Sequence, residues 1–272
     1  MTGTIESNGG TLYYEIAGEG PTLVLGHAGF VDSRMWDAQW EAFAQHYRVI
    51  RYDMRGFGKS DPATQPVDRR DDLLNVLDAL KVERAVLIGC SMSGTLALDF
   101  ALGHPDRVSA LVLVSATPSG FEMQGEPPPA MMEMFAAFQQ GDLKRASELQ
   151  IQLWVDGGFR KPSEVDPEVR RAAAEMNLIA VKNRTFAIAD SQPINPLDPP
   201  AVERLTMVAV PTLIIVGALD HPEILRAAEV MKQAIAHSQR IDLPQSAHVP
   251  NMEKPAAFNQ AVLAFLDGTQ LS

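Results

Sequence analysis

The chain has 272 residues, 46% of them hydrophobic, enough to bury one large core and to carry an inserted subdomain. Its formal net charge of -11 repels phosphate backbones and anionic lipid, which argues against nucleic-acid and membrane partners. The one cysteine, Cys90, excludes an internal disulfide and suits a reducing compartment; with no basic-then-apolar segment in residues 1–10, a soluble cytoplasmic protein is expected.

Residues 3 to 16 hold two short alternating runs, around Thr4-Ile5-Glu6 and Leu12-Tyr13-Tyr14-Glu15-Ile16. Asn8-Gly9-Gly10 between them is a hairpin signal, because these residues accept left-handed backbone. Gly18 to Pro21 break the chain before Thr22-Leu23-Val24-Leu25-Gly26, a buried strand. The loop His27-Ala28-Gly29-Phe30 follows, with His27 read as tied to backbone at its base, and Trp36 beyond it as core or pocket wall. Tyr47 to Tyr52 is the next strand and ends in Asp53-Met54-Arg55-Gly56-Phe57-Gly58-Lys59-Ser60. No third glycine or lysine–serine pair completes a phosphate loop there, so the segment reads as a structural turn with an Asp53–Arg55 ion pair. Leu73, Leu74, Val76, Leu77 and Leu80 give residues 68–80 a helical stripe that would face a sheet.

Ala85-Val86-Leu87-Ile88 is a buried strand, and Leu96 to Leu102 reads as a helix. Between them Gly89, Cys90, Ser91, Met92 and Ser93 form a small-x-Ser-x-small pattern. A strand that turns so abruptly into a helix needs small residues two before and two after the apex, and it pushes the apex hydroxyl out beside the helix N-terminus. Ser93 as apex would have the poorer neighbours Ser91 and Thr95. A polar helix cap is the plainer reading of Ser91. Cys90, beside it, is a redox switch or a small apolar filler.

With this pattern the chain resembles the α/β-hydrolases, and Ser91 resembles their nucleophile elbow, with Ser93 where glycine is usual. The resemblance implies an α/β fold: an eight-stranded, mostly parallel sheet flanked by helices, with an inserted helical cap. It also gives His27-Ala28-Gly29 the place of the family's oxyanion loop, Ala28 standing where glycine is usual, with Gly29 and Met92 as the two backbone donors. The Asp-x-Arg-Gly-x-Gly-x-Ser turn at Asp53 to Ser60 has its counterpart in the family as well.

Ser109 to Val114 is another apolar strand, and the repeated strand–helix alternation implies parallel pairing with right-handed crossovers. From Thr117 strand signals stop. Prolines cluster at Pro127-Pro128-Pro129, helical stretches run near Ala130 to Gln140, Leu143 to Val155 and Pro167 to Asp190, and Ser191 to Pro200 has a linker composition. Residues 117–204 are therefore read as a helical cap, inserted in a core of residues 1–116 and 205–272. Met134, Phe138, Trp154 and, from the oxyanion loop, Phe30 are the candidate lining of a substrate pocket; packing of cap on sheet explains them equally well.

The sheet resumes at Val210 to Val216, and Asp220 just beyond it stands where the resemblance places a triad acid. Glu223 to His237 makes a helix and Arg240 to Leu243 the last strand. His248 follows on a loop before Pro250 and Pro255, in the Ser…Asp…His order of the family. His46, His104, His221 and His237 lack such a setting. The resemblance thus implies catalytic Ser91, Asp220 and His248, no metal, no organic cofactor and a small-molecule ester or lactone substrate. The same three residues also serve carbon–carbon bond hydrolysis or a cofactor-free perhydrolase, and the fold alone leaves a non-catalytic ligand receptor open. The sequence also leaves the oligomeric state open, a homodimer included.

Overall fold

The computed structural model describes residues 1–270. Its strands are β1 (Thr2–Ser7), β2 (Gly10–Ala17), β3 (Thr22–Gly26), β4 (Arg48–Tyr52), β5 (Ala85–Cys90), β6 (Val108–Val114), β7 (Thr212–Gly217) and β8 (Ser238–Leu243). They form one eight-stranded sheet in the order β1-β2-β4-β3-β5-β6-β7-β8. β1–β2 and β2–β4 pair antiparallel and all other neighbours are parallel. The hairpin forms where asparagine and glycine permit it: Asn8 and Gly9 take φ of 46° and 78°.

The helices are α1 (Asp37–Ala44), α2 (Arg69–Ala79), α3 (Met92–Gly103), α4 (Pro129–Gln140), α5 (Leu143–Ile151), α6 (Pro167–Lys182), α7 (Thr185–Ile188), α8 (Ala201–Arg204), α9 (Pro222–Ala234), α10 (Pro250–Glu253) and α11 (Pro255–Asp267). α1 and α11 cover one face of the sheet, bringing Phe43, Phe258 and Phe265 onto Val86, Ile88, Val112 and Ile215. α2, α3 and α9 cover the other, bringing Leu77, Phe100 and Met231 onto Leu87, Leu111, Leu113 and Ile214. The strand period of two sorts β5 between these faces residue by residue, which is why its sequence is apolar throughout. Each large side chain withdrawn from water in this way contributes on the order of 2 kcal/mol. Trp36 is fully buried against Phe258, their ring centroids 6.0 Å apart.

α4 to α7 all lie between β6 and β7. α4, α5 and α6 start or stop on local chemistry: Gly141 ends α4 at φ 75°, Asp142 accepts from the Arg145 N–H to start α5, and Asp166 with Pro167 starts α6. Two details differ from the sequence expectation. α5 gives way at Gln152–Asp156 to a π-helical turn, and the third stretch breaks at Arg184, whose φ is 52°. This segment is tied to the sheet and its loops by Thr185 Oγ1 donating to the Gly56 carbonyl (2.7 Å), and by the Arg160–Glu253 (2.5 Å) and Arg69–Asp190 (2.8 Å) ion pairs.

The expected Asp53–Arg55 pair does not form. Asp53 accepts from the backbone N–H groups of Ser33 and Lys59, each at 2.8 Å, and pins two loops. Arg55 turns the other way, donating to the Ser7 and Asn8 carbonyls and facing Asp72 at 3.5 Å. Among the described residues no helix is long and apolar enough to cross a membrane.

Candidate active site

β5 runs into Ser91, which sits at φ 53°, ψ -116° and opens α3 directly. A non-glycine residue holds such a backbone only where its surroundings over-determine it. Here they do: the Ser91 N–H donates to the Val114 carbonyl (2.8 Å), and its own carbonyl accepts from Gly94 (2.9 Å) and Thr95 (3.0 Å). The turn is too tight for side chains on its flanks. A Cβ at Gly89 would lie 2.2 Å from the Ser93 carbonyl oxygen, and one at Gly94 would lie 2.5 Å from the Ala116 Cβ.

Ser93 fits where glycine is usual because the space lies across the turn, on β3. A Cβ on Gly26 would come within 2.6 Å of the Ser93 Cβ. The Ser93 hydroxyl then donates to the His27 carbonyl at 2.6 Å and fastens the elbow to the base of the neighbouring loop. Gly26→Ala is expected to destabilise the fold by about 1–3 kcal/mol through overpacking. Adding Ser93→Gly should recover part of that loss. Urea unfolding of both single variants and the double variant checks this: strictly additive effects would contradict the steric pairing.

The loop after β3 brings Gly29 against Met92, where a Cβ on Gly29 would touch the Met92 side chain at 3.1–3.3 Å. Neither the Gly29 nor the Met92 N–H has an acceptor among the described residues. His27 anchors the loop. Its Nε2 accepts from the Met54 N–H (2.9 Å), so the proton resides on Nδ1, which donates to the Ala28 carbonyl (2.8 Å). Burial pushes this imidazole below its ordinary value of 6.5, nearby Asp53 acting in the opposite sense. On unfolding, the ring returns to its ordinary value, so below about pH 6.5 the unfolded chain binds the proton more readily. The stabilisation from neutral His27 is complete above that pH and is lost as pH falls from there. Urea unfolding at pH 7.5 and 5.0 should show a smaller acid loss for His27→Asn than for the parent; equal losses would contradict it.

β7 delivers Asp220 and the loop after β8 delivers His248. The two loops close on each other because Gly217 has no side chain: a Cβ there would lie 2.0 Å from the Ala247 carbonyl oxygen. Leu219 N–H donates to Ser246 (2.9 Å), and Ala247 N–H donates to the Glu253 carboxylate (2.7 Å). His248 Nδ1 lies 2.9 Å and 3.0 Å from the two Asp220 carboxylate oxygens, and its Nε2 lies 2.8 Å from Ser91 Oγ. Asp220 and His248 are 2% and 1% exposed, whereas Ser91 is half-buried. Asp220 also accepts from the His221 N–H (2.7 Å), while the His221 ring caps α9, accepting from Glu223 N–H. Cys90 is fully buried, its thiol 3.6 Å from the His248 carbonyl, and burial pushes the thiol well above the ordinary range.

The π-helical turn after α5 sets the Trp154 ring 4.7 Å, centroid to centroid, from the His248 ring. Phe30 is 3% exposed; its ring stacks on Trp154 at 6.4 Å. Trp154 borders two cavities. One, of about 430 Å³, is apolar and lined by Met134, Phe138, Leu143 and Phe186. The other, of about 620 Å³, lies under the proline-rich segment with Gln124, Asp156, Arg160 and His221 on its wall. Thus three of the four candidate pocket residues line one cavity, and Phe30 lies behind Trp154 instead. Sequence reasoning missed Glu253, Gly26 and two amides from α5 and α6, Gln150 and Asn177. Only Asn177 left a signal, as the one polar residue on the buried stripe Ala173, Met176, Asn177, Ala180 and Val181.

A family model described as alpha/beta hydrolase fold matches residues 21–255. A pimeloyl-[acyl-carrier protein] methyl ester esterase of Nitrosospira multiformis is 31% identical, over 94% of this chain and 98% of the relative. The 3-oxoadipate enol-lactonase 1 of Acinetobacter baylyi is 27% identical, over 96% and 95% respectively. The crystal structure of an enol-lactonase from Burkholderia xenovorans superposes with a TM-score of 0.79 at 26% identity, covering 97% of this chain and all of that one.

Proposed function

This chain belongs to the α/β-hydrolase family, and we propose that within it the chain is a carboxylic-ester hydrolase, cleaving small esters or lactones through an acyl-enzyme on Ser91. The observation that carries the reading is the unbroken relay Ser91–His248–Asp220, with 2.8 Å and 2.9 Å links, beside two unengaged backbone N–H groups. In this reading His248 Nε2 takes the Ser91 proton as Oγ bonds to the acyl carbonyl carbon. Asp220 holds the Nδ1–H tautomer and stabilises the imidazolium. The negative oxygen of the tetrahedral intermediate lies between the Gly29 and Met92 N–H groups, each worth about 3 kcal/mol to the transition state. His248 then protonates the leaving alkoxide, and water, deprotonated by the same imidazole, releases the acid.

The named activities of the two relatives, one on a methyl ester and one on an enol-lactone, support this bond class. The apolar cavity under α4 suits an acyl chain, with Trp154, Met134 and Phe138 against it and Phe30 bracing Trp154. The acidic composition and single cysteine support work in the cytoplasm on a freely diffusing substrate. The test is a panel of p-nitrophenyl acetate, butyrate and octanoate with saturated and enol-lactones, using Ser91→Ala as blank. Turnover of at least one ester or lactone above the blank is expected; none above it would sink the reading.

A further inference from the structure

The buried polar pair Gln150 and Asn177 has no part in the relay just described, yet it reaches the oxyanion loop. Asn177 is fully buried on α6 and Gln150 is 2% exposed on α5. Asn177 Nδ2 donates to Gln150 Oε1 at 2.5 Å and to the Phe30 carbonyl at 2.8 Å. Both neighbours are acceptors, which fixes the amide orientation and leaves Asn177 Oδ1 buried without a partner among the described residues. Burying an amide with half its capacity unused costs the desolvation of the unused part. An apolar residue at 177 would continue the α6 stripe with no such penalty.

The carbonyl it holds belongs to the Phe30–Val31 peptide. The other end of that peptide, the Val31 N–H, donates to the Ala28 carbonyl at 3.2 Å. The Ala28 carbonyl in turn shares its peptide plane with the Gly29 N–H, and His27 Nδ1–H grips the same oxygen from the other side. A continuous chain of peptide dipoles therefore leads from two helices beyond β6 to one oxyanion donor. Aligned donors and acceptors in a dry interior polarise one another, so each bond orients and strengthens the next.

We infer that Asn177, held by Gln150, is a positioning residue for catalysis: through the Phe30–Val31 and Ala28–Gly29 peptides it aims the Gly29 N–H at the developing oxyanion. The inference rests on the assignment of Ser91 and Gly29 to acyl transfer. It makes the oxyanion hole complete only when α5 and α6 are docked on the sheet domain.

Asn177→Leu keeps the number and branching of the side-chain heavy atoms, at a somewhat larger volume, and removes the donor. With p-nitrophenyl acetate, too short to engage the apolar cavity, kcat is expected to fall about tenfold with KM within twofold, a fraction of the loss seen when an oxyanion donor is deleted outright. The affinity for an alkyl trifluoromethyl ketone, whose serine adduct carries the same oxyanion, should fall by the same factor. A tether that merely holds the helices in place would lower the melting temperature without this parallel loss. Gln150→Met leaves the Phe30 bond in place and should lower kcat two- to threefold in the same sense, and it decides the matter if Asn177→Leu does not fold. Unchanged kcat in a folded Asn177→Leu protein, or in Gln150→Met where that alone folds, would overturn the inference, as would a kcat loss with unchanged ketone affinity. Absence of turnover and of ketone binding in the parent protein would instead overturn the acyl-transfer reading beneath it.

Discussion

Ser91→Ala is expected to lower kcat on the best substrate of the ester and lactone panel by about 10⁶-fold, leaving only what the oxyanion donors and binding supply. The size follows from the proposed relay, in which the three side chains act as a unit. Without the Oγ, His248 still faces the cleft but has no nucleophile to deprotonate, and direct attack by water must replace a positioned hydroxyl. Removal of one Oγ leaves the elbow's backbone hydrogen bonds to Val114, Gly94 and Thr95 in place, so the melting temperature should stay within a few degrees of the parent. A residual rate within tenfold of the parent would mean that Ser91 is not the nucleophile.

Asp220→Asn should cost about 10⁴-fold in kcat with the fold intact. The carboxylate now accepts from His248 Nδ1 and from the His221 N–H. In the variant the amide oxygen keeps the His221 N–H as its donor, and the Nδ2 group is left facing His248. An amide nitrogen can only donate, so His248 must present a bare Nδ1 and carry its proton on Nε2. That proton points at Ser91 Oγ, 2.8 Å away, and the ring can no longer accept the serine proton. A kcat within tenfold of the parent would show that the tautomer is set elsewhere, and crystallography of the variant would show whether the ring has turned.

Much of this arrangement is legible along the chain because it depends on local sterics. The elbow requires small residues at fixed offsets, the central strands are continuous apolar runs, and the loops that present Asp220 and His248 follow strands. What escaped notice depends on contacts between distant segments. Arg55 stands two residues from Asp53, but the β1–β2 hairpin folds over it and offers the Ser7 and Asn8 carbonyls instead. Ser93 reads as a departure from glycine until Gly26 on the neighbouring strand is seen to make room for it. The π-helical turn that aims Trp154 at His248 has no marker in composition, since Gln152 to Asp156 would continue a helix equally well. Asn177 is the intermediate case: its polarity on an apolar stripe was visible, but its partner, a carbonyl in another part of the chain, was not.

The chemistry assigned to this fold turns on whether the Ser91 hydroxyl is activated in solution. Incubation with diisopropyl fluorophosphate followed by intact-mass and peptide mass spectrometry measures this directly. One diisopropylphosphoryl group per chain, mapped to Ser91, absent from Ser91→Ala and formed far more slowly in His248→Ala, is the expected result. An unmodified chain, or an adduct confined to another residue, would contradict it.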